Sequence, residues 1–153
     1  MAYWRFEAIR RLVKEICPNS SIDPWLRFRP IVEEFNANRA RTLHNDGDVT
    51  VDESMSAYQP RLDKFGGLPN ISFIKRKPKP LGTEFKTMCD TETGVMKFME
   101  IQEGKEIMRV KPFAVELGVT SGCVARMASA CALGSTILGV SWLGSVKVYV
   151  FFC

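Results

Sequence analysis

The stretch "GTEFKTMCDTETGVMKFMEIQ", Gly82 to Gln102, decides the fold class. It holds two runs with strand composition, "GTEFKTMCD" and "GVMKFMEIQ", joined by the turn "TETG", so it predicts a β-hairpin. Upstream, "VTVDESM" places Val49 and Val51 in alternation with polar residues and predicts a strand that delivers Asp52 at its end. The Asp-Gly of "HNDGD" marks the loop before it, and residues 60–80, rich in Pro, Gly, Lys and Arg, read as a long irregular connection. Downstream of Pro112, "FAVELGVTSGCVARMASACA" suits a helix of small residues, in which Gly118 and Gly122 are the weak points. "ILGVSWLGSVK", Ile137 to Lys147, then reads as a short apolar strand that runs into a helical turn.

The N-terminal part has helical spacing instead. In "YWRFEAIRRLVKEI", Phe6, Ile9, Leu12, Val13 and Ile16 recur three or four apart, and Pro18 ends the run. Its basic face, Arg5, Arg10, Arg11 and Lys14, reads as a solvated surface supported by pairs such as Glu7 with Arg11. Asp23 can cap a short turn with Pro24 behind it, and a second helix from about Pro30 is expected to bury Ile31, Val32 and Phe35. Phe6, Trp25, Phe28 and Phe35 read as core. The order is two helices, a strand, a hairpin, a helix and a strand, which is mixed α/β.

Composition narrows the function. At 153 residues, 46% hydrophobic and 25% charged, the chain has room for a real core. A net charge of +4 is compatible with nucleic acid but does not single it out. Five widely spaced cysteines without a C-x-x-C argue against a disulfide framework and a zinc site, and for a reducing compartment. Cys123 and Cys131 read as small buried apolar residues. His44 is the single histidine, which excludes multi-histidine metal centres. The basic residues among the first apolar ones argue against a signal peptide.

The middle third carries a longer pattern. A strand with Asp52-Glu53 is followed by Ser54, Met55, Tyr58 and Arg61, then by a Lys/Pro-rich loop ending Lys79-Pro80. A strand ending Cys89-Asp90, the turn residues Thr93 and Gly94, and a second strand closing near Gly104-Lys105 complete it. In order and spacing this resembles the start of the catalytic domain of PiggyBac-type transposases. "RFEAIRRLV" and "FRPIVEEFN" resemble the helical region before that domain, and "ELGVTSGCVARM" and "SWLGSVK" the elements after it. The resemblance implies a partial RNase H-like mixed sheet over residues 48–153, preceded by a helical segment over 1–47.

It also implies a chemistry. Such transposases cut and join DNA with two divalent ions held roughly 4 Å apart, which activate the attacking oxygen and stabilise the leaving one. Mg²⁺ is hard and requires clustered carboxylate oxygens, supplied in the family by three separated aspartates. The first maps onto Asp52, with Glu53 beside it. The second is expected just before Ser141, where Val140 stands, and the third would fall past Cys153. Valine has no lone pair for a metal. The resemblance therefore implies a catalytically incomplete remnant, with Asp52 a lone metal ligand and no tightly bound cofactor. Glu53, Asp90 and Glu100 have no sequence-based reason to replace the missing acids.

For partners, the basic loop Lys75, Arg76, Lys77 and Lys79 is the candidate DNA contact, of the salt-sensitive kind that reads no sequence, and it reads equally as a nuclear-localisation-like patch or a solvated loop. No small-molecule substrate is indicated, and the expected location is nuclear or cytoplasmic. Two rival readings stay open here. Met127 to Val146 forms an uncharged run of about twenty residues, the length of a membrane span, flanked by Arg126 and Lys147; its Gly, Ser and Ala content argues against an anchor. Alternatively the chain is a decayed element fragment without a role.

Overall fold

The computed structural model describes residues 3–16, 23, 25–26, 28–43, 47–57 and 70–139. Strand β3 (Leu81–Asp90) is the spine of its sheet. Along one side it pairs antiparallel with β1 (Val49–Ser56), from Val49↔Asp90 to Ser56↔Thr83. Its other side takes β4 (Met96–Ile101) from Phe85↔Ile101 to Cys89↔Met96, and the short β2 (Ser72–Phe73) opposite Leu81 and Gly82. β5 (Ile137–Gly139) lies beside β1 and runs parallel to it.

The hairpin expected from the sequence is therefore β3–β4. Its turn is fixed by Asp90, whose Oδ1 accepts the Thr93 amide at 2.8 Å and the Thr93 hydroxyl at 2.7 Å. Gly94 follows with φ +69°, a region open to glycine at no steric cost.

Alternation along β1 turns Val49 and Val51 inward. With Met88 of β3 they are fully buried against Cys123, Val124 and Met127 of α5 (Val119–Ala128). The helix expected across 113–132 is broken in two. α4 (Ala114–Leu117) stops at Gly118, whose φ of +83° turns the chain into α5. Gly122 lies so close to α4 that a Cβ there would sit 2.8 Å from the Ala114 Cα. The two glycines mark a turn and a helix contact. Ahead of them lies α3 (Lys105–Val110), which burial of Met108 ties down and which sequence periodicity did not disclose.

The N-terminal helices are α1 (Tyr3–Ile16) and α2 (Arg29–Thr42). The burial expected of α2 is corrected. Ile31 is exposed, Val32 and Phe35 are half-buried, and no α2 residue is fully buried. A polar contact fixes the helix instead: the Asn36 amide donates to the Met99 carbonyl at 2.9 Å and accepts the Met99 amide at 3.0 Å. Backbone groups of β4 left over by the sheet are satisfied by this side chain. Of the aromatics expected in the core, Trp25 is buried, its Nε1–H donating to the Glu103 carbonyl at 3.2 Å. Phe28 meets its ring edge-on at 6.4 Å yet is exposed, as is Phe6. Asp23 does cap the turn, accepting the Trp25 amide at 2.9 Å.

Two further expectations change. β1 continues to Ser56, so Asp52 lies mid-strand rather than at its end. The described part of the parallel pairing of β1 to β5 runs from Val49↔Ile137 to Val51↔Gly139. The uncharged run from Met127 begins as the end of α5 and continues into β5, and among the described residues no helix is long and apolar enough to cross a membrane. Its supposed flanking charge, Arg126, is turned onto the sheet, where both of its outer nitrogens and Nε are engaged.

Candidate metal and nucleic-acid site

Asp52 faces away from α5, on the same side of β1 as Thr50. Its side chain is about half exposed, at 47%. Oδ1 accepts the amide of Glu53 at 2.7 Å, and the Asp52 carbonyl accepts the Thr87 hydroxyl of β3 at 3.2 Å. Its other oxygen, Oδ2, lies 3.6 Å from the Lys77 ammonium. Glu53 is the next residue on the strand and by alternation belongs to the other, α5-covered face. Its carboxylate is engaged by Arg76 through Oε2 and by Lys86 at 3.4 Å through Oε1. Neighbours in sequence, the two acids do not converge as a chelating pair.

The basic loop between β2 and β3 divides between two environments. Lys75 and Lys79 are exposed. Arg76 is paired with Glu53, and Lys77 donates to the Glu53 carbonyl at 2.6 Å while it approaches Asp52. Two of the four candidate DNA-contacting cations are thus in contact with the candidate metal acid and its neighbour. Sequence reasoning gave no such link, because the partners of a loop depend on strand register and not on local pattern.

The remaining acids of the sheet also have cations of their own. Asp90, at the far end of β3, is held well below the usual carboxylate range by the Thr93 amide and hydroxyl and by Lys97, whose Nζ lies 3.0 Å away. Glu100 on β4 receives Arg126 in a two-pronged contact, both bonds 2.7 Å. Glu103 just beyond β4 is reached by Lys111 at 3.0 Å and by Arg29, which also holds Asp23 at 2.8 Å. Burial pushes the Glu103 carboxyl up, but the hydrogen bonds from Arg29 and Lys111 outweigh it and hold it below its ordinary value. Neither Asp90 nor Glu100 is a neighbour of Asp52 in the pairing, since they sit opposite Val49 and Lys86. Among the described residues no group of three His, Cys, Asp or Glu could hold a metal ion.

Among the described residues, burial pushes the thiols of Cys89, Cys123 and Cys131 up. Cys123 is buried beside the Glu100–Arg126 pair and is pushed up to about 12, chiefly by burial. His44, Tyr58, Arg61 and Val140 lie outside the described residues.

Comparisons with known proteins connect this mixed sheet to a family. The Transposase IS4 family matches residues 1–148, so the chain belongs to that family. Among solved structures, the chain is similar to a piggyBac transposase, seen by cryo-EM in a synaptic complex with hairpin DNA. The match has a TM-score of 0.65 at 19% identity and covers 93% of this chain. It shows the fold, which is RNase H-like. The chain spans 26% of the length of that transposase. A comparison with curated proteins returns no match.

Proposed function

We infer that this is a transposase-derived domain that does not cut DNA and at most binds it loosely, without sequence preference. Transposases of this family generally depend on divalent metal. In our reading Asp52 is the surviving first acid, and Val140 stands where the second is needed. One observation carries this reading: β1 and β5 pair in parallel as Val49↔Ile137, Thr50↔Leu138 and Val51↔Gly139, the residues that lead directly to Asp52 and Val140 in sequence. The described pairing thus joins the two stretches from which the reading draws its first and second acid positions. A site with valine at its second position lacks a carboxylate needed to position two Mg²⁺ ions, whose in-line chemistry requires ligands on both.

DNA contact falls in this reading to the β2–β3 loop. Lys75 and Lys79 are the outward cations, and Arg76 and Lys77 join only on leaving the acids. In this reading residues 1–47 are the helical segment that precedes the RNase H-like unit of 48–153, and a nuclear or cytoplasmic location goes with it. The test is incubation of supercoiled DNA with the purified chain and magnesium. No nicking above the Asp52→Ala background is expected, and magnesium-stimulated nicking lost in Asp52→Ala would overturn the inference. In a binding titration, Lys75→Ala with Lys79→Ala should flatten the slope of log affinity against log salt by about 2; an unchanged slope would remove the loop from the interface.

A further inference from the structure

The described residues do not fit a pair of magnesium ions, and the way they fail is informative. Asp52 Oδ1 is committed to the Glu53 amide, and Oδ2 faces the Lys77 ammonium at 3.6 Å. The same ammonium donates to the Glu53 carbonyl at 2.6 Å, and Arg76 and Lys86 take up the Glu53 carboxylate. Lys77 is thus bound by one anionic and one carbonyl oxygen on neighbouring residues, the hard-oxygen surroundings that also suit a cation. Its side chain is only 19% exposed, unlike the exposed Lys75 and Lys79 on either side. The loop that presents it is anchored nearby, with the Ile74 amide bonded to the Pro80 carbonyl at 2.8 Å and the Lys77 amide to the Ile74 carbonyl at 3.0 Å. These bonds close the loop upon itself and direct residues 76 and 77 to β1.

We propose that Lys77 is a built-in counter-cation for Asp52, which takes over the charge-neutralising role of a divalent ion and makes the strand indifferent to magnesium. The proposal rests on the reading of Asp52 as the family's first acid. Physically, an ammonium and a hydrated Mg²⁺ compete for the same oxygen. The ammonium is tethered, so the divalent ion must displace a neighbour that is always present at high effective concentration. With Asp52 the carboxylate that the described residues offer it, the ion lacks the extra charge with which to win. A consequence follows for the loop: Lys77 stays on the strand whether or not magnesium is present, and only Lys75 and Lys79 remain turned outward.

The experiment compares melting temperatures of the whole chain in chelator and in magnesium, without DNA. The wild type should melt at the same temperature in both. Lys77→Gln should gain about 3 °C from saturating magnesium, and Asp52→Asn with Lys77→Gln should lose that gain. A wild type that magnesium stabilises through Asp52, or a Lys77→Gln variant that ignores magnesium, would overturn the proposal. A second readout needs no loop variant. Amine acetylation followed by mass spectrometry should label Lys77 several-fold more slowly than Lys75 and Lys79, equally with and without magnesium, and faster in Asp52→Asn. Equal labelling of the three lysines, or magnesium-accelerated labelling of Lys77 in the wild type, would sink the idea. The two failures are separable: nicking by a chain whose melting ignores magnesium removes the proposed function, whereas magnesium-dependent melting without nicking removes the counter-cation alone.

Discussion

Two acidic neighbourhoods lie on the same sheet and are neutralised in different ways. At Glu100 and Glu103 the carboxylates are buried, and their partners come from helices and from the segments beside them: Arg126 from α5, Arg29 from α2 and Lys111 from between α3 and α4. At Asp52 the carboxylate is half exposed, and its partner comes from a surface loop. A buried pair is costly to break because the survivor is left charged and dry, whereas a half-exposed pair is screened and exchangeable. The first neighbourhood therefore locks helices to the sheet. The second ties only a surface loop to the sheet.

The largest difference between the two should appear on removal of a cation. Arg126→Met leaves the buried Glu100 with only the more distant Lys111, 3.8 Å away, and is expected to cost about 3 kcal/mol in chemical denaturation. A loss below about 1 kcal/mol would mean that the pair is open to water. Next, Gly122→Ala forces a methyl against the backbone of Ala114 and is expected to cost about 1–3 kcal/mol. An unchanged midpoint would show that α4 and α5 can separate freely, which would loosen the frame that carries Arg126.

Acid should act on the buried neighbourhood through Glu103. The Glu103 carboxyl is held below its unfolded value of about 4.3. Its contribution is therefore fully present above that pH and is lost as pH falls through the lower folded value. Asp23, lowered mainly by its hydrogen bond to Arg29, adds to the same limb. Melting temperature should drop from roughly pH 4 downward, and less steeply in Glu103→Gln; parallel curves for the two proteins would refute the assignment. The smallest effect is expected at the exposed neighbourhood, where Lys77→Gln in chelator should cost at most about 1 kcal/mol. A loss as large as that of Arg126→Met would erase the contrast.

The hairpin was legible because its determinants are local. Asp90, Thr93 and Gly94 set the turn within four positions, and alternation sets the faces. The strands that hold Val49 and Ile137 were legible as short apolar runs, but their parallel pairing was not. What stayed hidden is long-range. Arg29 and Glu103 are 74 residues apart, Arg126 and Glu100 are 26 apart, and Lys77 and Glu53 are 24 apart, so no periodicity links them. The α4–α5 break was half visible: Gly118 and Gly122 weakened the predicted helix, but glycine alone does not tell a turn from a close contact. The burial of α2 was misjudged because an asparagine, not the apolar stripe, fixes it to β4.

The most direct measurement counts bound divalent ions at Asp52. In a Mn²⁺ titration followed by electron paramagnetic resonance, the free-ion signal with the wild-type chain should match that with Asp52→Asn at every concentration. Loss of signal with the wild type that Asp52→Asn restores would show that this strand still holds a metal, and would contradict the account.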